Sequence, residues 1–173
     1  GCGGIVYHDV TARRWAEKAL AEGVDGLIAV NRRAGGHAGK LDPQTVLDSL
    51  ADLGVPVVCA GGVGDEKGFA EALAMGYAGV QMGTRFIATA ECRAHDDYKQ
   101  AIVRAREEDI VLTERLSGVP CSVIKTPYVE RVGTNGRLDG SRTMGGTYQI
   151  QNGGGPGPTG NGNAAQGTGP NPF

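Results

Sequence analysis

The stretch VPVVCAGGVGDEKGFAEALAMGYAGVQMGT, at residues 55–84, decides the fold. It contains a short apolar run, a glycine turn, an amphipathic segment and a second short apolar run that again ends in a glycine turn. Short runs that are apolar almost throughout are typical of parallel strands covered on both faces. The stretch therefore predicts a strand–helix–strand unit of an α/β protein.

The same unit recurs towards the amino end of the chain. Four apolar runs start 21 to 29 residues apart, at residues 5–8, 26–30, 55–60 and 79–82. Strand–helix alternation with short connections predicts one parallel sheet. Two architectures fit this pattern, a doubly wound sheet and a (β/α)8 barrel of the TIM type, and the repeat spacing does not choose between them.

The segments between these runs predict helices. Apolar residues at helical spacing place them at residues 11–22, 43–53 and 66–75. Thr11 and Asp42 are suited to the N-cap position, and Pro43 to the first helical position. Gly76 follows the third helix and predicts its C-cap.

Length, charge and cysteine content narrow the functional classes. The 173 residues are one domain's worth, and a net charge of −2 lacks the basic footprint of a nucleic-acid partner. No apolar run approaches the ~18 residues of a membrane span. The four cysteines are far apart and form no CxxC pair. We therefore expect no metal site and no disulfide framework, but reduced thiols in a cytoplasmic protein.

The pattern changes after about residue 93. Residues 94–108 predict a charged surface helix, and residues 109–132 a compact excursion beyond the repeats. Residues 152–173 are rich in Gly, Pro, Asn and Thr, a composition too polar to offset the loss of chain entropy on folding, which predicts disorder. The expected division is a barrel part at residues 1–132 and a tail at residues 133–173.

Glycines surround a histidine in the segment AGGHAG, directly after the apolar run at residues 26–30. Gly35 and Gly36 let the backbone approach a ligand closely or take a positive φ. In a βα unit this loop lies at the carboxyl edge of the sheet, where such folds place their active sites. His37 is suited to act there as acid, base or hydrogen-bond donor. The alternative, that His37 only pins the loop, has about equal weight.

Two consecutive strands end in turns suited to phosphate. In the segment CAGGVGD, Gly61, Gly62 and Gly64 precede a helix, and the backbone N–H groups of such a turn bind anions. The segment lacks the G-x-G-x-x-G spacing and a P-loop lysine, so a dinucleotide fingerprint is not supported, and a plain tight turn stays the alternative. The next strand ends in Gly83 and Thr84, whose N–H and hydroxyl groups suit phosphate oxygens.

The two glycine turns favour the barrel architecture. (β/α)8 barrels often hold phosphate on the loops after strands seven and eight. If the turns follow those two strands, the runs at residues 5–8 and 26–30 are strands five and six. The chain also begins at Gly1 and not at a methionine. We therefore expect a fragment that holds the carboxyl-terminal half of a barrel, about four βα units.

Three stretches together resemble the nitronate monooxygenase family, formerly called 2-nitropropane dioxygenases. They are DGLIAVNRRAGGHAG, then VPVVCAGGVGDEKGFAEALAMGYAGVQMGTRFIAT, then the spaced pattern EC, H and YK. The combination of AGGHxG, AGGV and QMGT at barrel-like intervals is specific. The resemblance covers residues 6–132 and fails over the last forty.

The resemblance implies a (β/α)8 barrel that binds FMN non-covalently. Six residues match the family's phosphate-binding segments, namely Gly61, Gly62, Gln81, Met82, Gly83 and Thr84. Gly35 and Gly36 match the loop near the flavin ring, and His37 matches the active-site histidine. Many members carry a glutamine a few residues before AGGH, whereas this chain has Val30 there.

The reaction implied by the resemblance is oxidation of an alkyl nitronate by O2 to a carbonyl compound and nitrite. The protein is then a flavoprotein oxidoreductase of the monooxygenase type, in which FMN carries the redox step and the protein positions and polarises the substrate. Its partners are a small-molecule substrate and O2, with no nucleic acid and no membrane. A homodimer stays open.

Two further hypotheses remain. The same motifs fit an FMN-dependent NAD(P)H reductase of the enoyl-acyl-carrier-protein or NADH:quinone type. A hypothesis of another class is that this polypeptide alone is an inactive fragment, because half a barrel leaves an open strand edge near Ile5 that invites aggregation. That hypothesis predicts poor solubility and no FMN binding.

Overall fold

The computed structural model describes residues 3–134 of the 173-residue chain. The described residues form seven strands, β1 (Tyr7–Val10), β2 (Gly26–Val30), β3 (Gly36–His37), β4 (Val57–Ala60), β5 (Gly79–Gln81), β6 (Ile110–Thr113) and β7 (Cys121–Ile124). Six α-helices accompany them, α1 (Arg13–Ala21), α2 (Pro43–Asp48), α3 (Glu66–Met75), α4 (Thr84–Ile87), α5 (Asp96–Arg104) and α6 (Pro127–Val132). The predicted strand–helix alternation is confirmed.

Four strands form a parallel sheet in the order β1-β2-β4-β5. Each new strand is added on the same side as the one before it. A doubly wound sheet reverses its strand order at a switch point, whereas a barrel adds strands in one direction. Within the described residues there is no reversal, so the sheet has the topology of a barrel wall.

One face of the parallel sheet carries the main core. Leu27 and Ala29 of β2 are fully buried against the helices, together with Val46 of α2 and with Leu50, which follows that helix. Ile28, which lies between Leu27 and Ala29 and points to the opposite face, is only partly buried. The alternation follows from the two-residue period of a strand. The helix side of the sheet is therefore closed, and the other side is only partly covered.

The first strand differs from its prediction. It was expected at residues 5–8 and covered on both faces, but β1 begins at Tyr7, and only Val10 in it is buried. The Val6 N–H donates to the Asp25 carboxylate at 2.7 Å, so a side chain takes a backbone donor that would otherwise enter the sheet. Ile5 is 78% exposed. Within the described chain β1 is an edge strand, as the expected open edge near Ile5 requires.

Helix boundaries agree with prediction where the capping residues act as expected. Asp42 caps α2 by accepting from the Thr45 N–H at 3.1 Å. The Thr11 N-cap is wrong, because β1 extends to position 10 and the turn that follows places α1 after Ala12. The helix expected at residues 43–53 stops at Asp48 and gives way to the 3-10 turn Ala51–Leu53. The third helix has its predicted bounds and ends on Gly76 in the left-handed region.

The compact excursion predicted for residues 109–132 forms β6, β7 and α6. Strands β6 and β7 pair antiparallel, and β7 also pairs with the short strand β3. The surface helix expected at residues 94–108 is shorter, Asp96–Arg104, because Ala105 is extended and a 3-10 turn follows.

Among the helices of residues 3–134, none has the length and apolar character of a membrane span. The tail predictions for residues 133–173 lie outside the described residues, except for the first two positions.

Candidate functional site

Three loops meet at the carboxyl edge of the parallel sheet. The loop after β2 touches the start of α4, since a Cβ atom on Gly35 would lie 2.7 Å from Thr84 Oγ1. The loop after β4 touches the same β2 loop, because a Cβ atom on Gly61 would lie 2.5 Å from the Ala34 backbone nitrogen. Parallel strands present all their carboxyl ends at one edge. The structure thus brings the three glycine segments found in the sequence into direct contact.

Asn31 connects the loop after β2 to the loop after β4 through hydrogen bonds. It follows β2 directly and is fully buried. Its Nδ2 donates to the Gly61 carbonyl at 3.0 Å, and its Oδ1 accepts from the Arg33 N–H at 2.8 Å. The Asn31 carbonyl accepts from the N–H groups of Ala34 and Gly39, both at 3.2 Å. One asparagine therefore fixes both the loop that carries His37 and the glycine turn after β4.

The glycine turn after β4 depends on glycine at two positions. Gly61 has φ +118° and Gly62 has φ +77°, a region that other residues rarely adopt. A Cβ atom at Gly62 would lie 2.8 Å from the Arg33 side chain. Packing between loops therefore accounts for these two glycines without a ligand. Gly64 and Gly83 differ, because a Cβ atom at either would meet nothing within 4 Å.

The same edge offers backbone donors that suit a phosphate group. Within residues 3–134, no acceptor takes the N–H groups of Gly61, Gly62, Gly64, Gly83 and Thr84. Open space beside Gly64 and Gly83 leaves room for a ligand to approach the backbone. Backbone N–H groups around such an opening match the oxygen acceptors of a phosphate. The residues present therefore fit the phosphate end of FMN.

The start of α3 is less available to an anion than its sequence suggests. Asp65 occupies the N-cap, and its Oδ1 accepts from the Gly68 N–H at 2.8 Å. The carboxylate thus takes a first-turn donor and adds a negative charge near the helix start. The loop N–H groups that precede Asp65 are therefore the better donors for a phosphate at this edge.

The glycine turn has a cation beside it, Arg33. Its side chain packs beside Gly62, is about half exposed, and lies 4.0 Å from Glu107 through Nε and Oε1. An ion pair so exposed and so long contributes little to stability. The guanidinium is therefore free to interact with an anion bound at the turn.

The remaining predicted phosphate residues lie on the neighbouring strand end. Gln81 is the last residue of β5 and pairs in register with Ala60, the last residue of β4. Its side chain is exposed, whereas Met82 is half-buried. All six predicted phosphate-binding residues therefore lie on two adjacent strand ends.

His37 lies in the loop region after β2, two residues beyond Gly35. It belongs to β3, and its backbone pairs with Cys121 of β7, while Gly36 pairs with Ser122. The imidazole is exposed, and within the described residues it makes no hydrogen bond or ion pair. The contact of Gly35 with Thr84 brings this loop against the phosphate-side segment. The loop that carries His37 therefore lies next to the phosphate-side segment.

The thiol of Cys59 lies just beneath the site but is not part of its surface. Cys59 is buried, and the Asn31 Nδ2 lies 3.6 Å from its sulfur. Burial raises the pKa of this thiol, and the neighbouring polar groups of Tyr77 and Asn31 offset part of that effect. A protonated, enclosed thiol is a weak nucleophile. Cys59 therefore serves the packing of β4.

Two features of the site escaped the sequence analysis. Asn31 was passed over, although a polar residue directly after a buried apolar strand is a recognisable signal. The pairing of β3 with β7 left no such signal, because it joins two short segments far apart in the chain. Sequence patterns found the loops but not what holds them together.

Comparison with known proteins adds family information to this geometry. The family model described as Nitronate monooxygenase matches residues 2–152. An octahydro-indene-carboxyl-CoA dehydrogenase of Mycobacterium tuberculosis is 37% identical over 142 residues, which is 80% of this chain and 40% of that protein. A probable nitronate monooxygenase of Staphylococcus saprophyticus is 34% identical over 131 residues, 67% of this chain and 37% of that protein. The chain spans about two fifths of the length of these curated relatives.

Solved structures give the same picture. FabK from Thermotoga maritima superposes with a TM-score of 0.69 at 35% identity, covering 75% of this chain and 42% of that one. A nitroalkane oxidase from Streptomyces ansochromogenes gives a TM-score of 0.67 at 26% identity, covering 74% and 40%. These neighbours are TIM barrels, and the parallel βα units described above correspond to part of such a barrel. The predicted partial (β/α)8 barrel is confirmed.

Proposed function

Because this chain belongs to the nitronate monooxygenase family, we propose that it supplies the phosphate-binding edge and the catalytic histidine of an FMN-dependent oxidoreductase. The proposed reaction converts an alkyl nitronate and O2 to a carbonyl compound and nitrite. The observation that carries the proposal is the contact between the His37 loop and the phosphate-side segment through Gly35 and Thr84. That contact makes one ligand accessible to both.

In this proposal the cofactor is held by its phosphate. The N–H groups of Gly61, Gly62, Gly83 and Thr84 would hold the phosphate oxygens, and Arg33 would add a positive charge beside the turn. Gln81 and Met82 line the same strand end. When bound, FMN would supply the redox chemistry of the reaction. Gly36, where a Cβ atom would meet nothing within 4 Å, leaves space for the ring system, whereas Gly35 packs closely against Thr84.

His37 is proposed to act on the substrate. Its exposed imidazole can accept a proton from a carbon acid or donate a hydrogen bond to a nitro or nitronate oxygen. The β3–β7 pairing fixes the backbone on either side of His37, so the ring moves mainly about its own side-chain bonds. A positioned acid or base of this kind contributes about 10²–10⁴-fold to a reaction rate.

The first test is direct binding and turnover. The 173-residue chain is titrated with FMN by flavin fluorescence, and nitrite is measured with propionate 3-nitronate and O2. For H37Q we expect nitrite formation about 10²–10⁴-fold slower with unchanged FMN affinity. H95Q is the matched control, because His95 is also exposed and only caps α5. Unchanged nitrite formation in H37Q contradicts the role proposed for His37.

A second candidate function is oxidoreduction of an acyl thioester. The relatives from Mycobacterium tuberculosis and Rhodococcus jostii, 37% and 34% identical, are both named carboxyl-CoA dehydrogenases. The same FMN site then serves a CoA or acyl-carrier-protein thioester, either as a dehydrogenase or as an NAD(P)H-dependent reductase. Turnover of enoyl or acyl thioesters without nitrite formation from nitronates favours this candidate over the first.

The alternative is that the chain alone is an inactive fragment, since it spans only about two fifths of the length of its relatives. This alternative predicts that the isolated polypeptide is poorly soluble and binds no flavin. Recovery of yellow protein with about one FMN per chain would contradict it.

We also propose a cytoplasmic location and a barrel part that comprises residues 1–132. The family match itself continues past that boundary.

A further inference from the structure

The side chain of Asn31 is the structural link between the two halves of the candidate site. Its Nδ2 reaches the Gly61 carbonyl at 3.0 Å, and its Oδ1 holds the Arg33 N–H at 2.8 Å. The residue is fully buried, so water is not at hand to replace either hydrogen bond. A buried donor or acceptor that loses its partner is costly. The arrangement of the two loops therefore depends on one amide group.

The main chain of Asn31 does not link the two loops. Its N–H donates to the Ala60 carbonyl, which only continues the ladder between β2 and β4. Its carbonyl accepts from Ala34 and Gly39, and both belong to the His37 loop. Of the hydrogen bonds that Asn31 makes, only that of Nδ2 reaches the carbonyl of the glycine turn after β4. The side chain thus determines where Gly61 lies relative to the His37 loop.

We propose that Asn31 is a positioning residue, whose amide holds the glycine turn and the His37 loop in the one arrangement in which both contact the same FMN molecule. The inference rests on the proposed function, since it concerns the same site. Asn31 does not touch the cofactor in this proposal. It acts through Gly61 on phosphate binding and through Arg33 and Ala34 on the loop that carries His37.

The chemistry of the amide makes the proposal specific. An amide donates through Nδ2 and accepts through Oδ1 at the same time. A carboxylate of the same shape has no donor for the Gly61 carbonyl, and its buried charge is unfavourable. A protonated carboxylic acid restores one donor. Because burial without a cationic partner raises the pKa of a carboxyl group, the acid form of N31D is accessible at mildly acidic pH.

The experiment compares FMN binding by the 173-residue chain, N31A and N31D, with Y77F as the matched control. Tyr77 is also buried and donates one hydrogen bond, to the Pro43 carbonyl at 2.6 Å, on the helix side of the sheet. Thermal unfolding confirms that each variant is folded before titration. We expect FMN binding weaker by about tenfold in N31A, and unchanged in Y77F.

The pH dependence supplies the second measurement. In N31D we expect FMN affinity to rise relative to the wild-type chain as pH falls through the carboxyl pKa, because the acid form donates again. If N31A does not fold, this profile alone carries the test. Hydrogen exchange without FMN should also become faster in the peptides holding Gly61 and Ala34, but not in α2.

The outcomes separate the two proposals. If the wild-type chain binds no FMN, the proposed function of the chain fails and this inference fails with it. If the wild-type chain binds FMN but N31A and N31D bind it equally well at every pH, the proposed function stands and the role of Asn31 is overturned. Equal losses of affinity in N31A and Y77F also overturn it, because they mean a general effect of stability.

Discussion

The helix side of the parallel sheet and its carboxyl edge are built from the same strands by different means. On the helix side, Leu27 and Leu50 are fully buried among apolar neighbours. At the edge, where the same strands end, Asn31 donates one hydrogen bond to the Gly61 carbonyl, and Gly61 packs tightly against the Ala34 backbone. The stability of the apolar core depends on the volume of its side chains, whereas the geometry of the edge depends on single hydrogen-bonding atoms and close contacts. Stability and site geometry should therefore respond to different substitutions.

The largest expected effect is on the helix side. L27A removes a fully buried side chain from the middle of the core. We expect the free energy of unfolding to fall by about 2–5 kcal/mol, through lost burial and the cavity left behind. Urea denaturation measures this. The same truncation at Leu73 of α3, which is 43% exposed, should cost far less. The FMN affinity of folded L27A should be unchanged. A large loss of affinity would show that the helix side and the carboxyl edge are not independent.

G61A tests the edge. The substitution places a Cβ atom 2.5 Å from the Ala34 nitrogen at φ +118°, so the loops have to separate. We expect a destabilisation of about 1–3 kcal/mol from backbone strain and a larger proportional loss of FMN affinity than in L27A. G68A is the control, because a Cβ atom there meets ordinary contacts and Gly to Ala favours a helix. Wild-type FMN affinity in G61A contradicts the dependence on this contact.

A chemical probe distinguishes the buried thiol from the site surface. Burial raises the pKa of Cys59, so its thiol stays protonated in the folded protein at pH values where an ordinary thiol ionises. We expect alkylation of Cys59 at pH 8 to be at least about tenfold slower than that of the partly exposed Cys92, read by mass spectrometry of peptides. Comparable labelling of both in the folded chain means that the region beneath the site is open.

The same shift carries a pH dependence with a definite sign. The unfolded chain ionises Cys59 at a lower pH than the folded chain does. The stability owed to this group is therefore present below the ordinary thiol pKa and is lost as pH rises above it. C59A should weaken that alkaline decline, measured as urea midpoints from neutral to alkaline pH.

The smallest expected effect concerns charge at the start of α3. D65S keeps a side-chain oxygen for the Gly68 N–H but removes the carboxylate beside the glycine turn. We expect FMN affinity to rise by about threefold at low ionic strength, with less change in high salt. D48S is the control, because it removes a carboxylate from α2 and not from the start of α3. A fall in affinity in D65S shows that the carboxylate is not repelling the phosphate.

Local patterns were enough to predict the sheet, the helix α3 with its caps, and the three glycine loops. These features depend on residues close in sequence, such as Asp42 capping its own helix. The prediction failed where distant groups intervene. Asp25 takes the Val6 N–H and helps to set where β1 begins, and the loops depend on a buried asparagine. The local sequence pattern does not indicate that β3 pairs with β7.

The pairing of β3 with β7 has a consequence for how the chain is made. A ribosome releases the His37 loop long before it releases the strand that borders it, and closing a long loop is slow. The parallel sheet and its helices have local partners and can assemble first. The histidine is then held in place only when the far end of the described chain arrives, so synthesis halted before β7 should leave a folded sheet with a loose histidine loop.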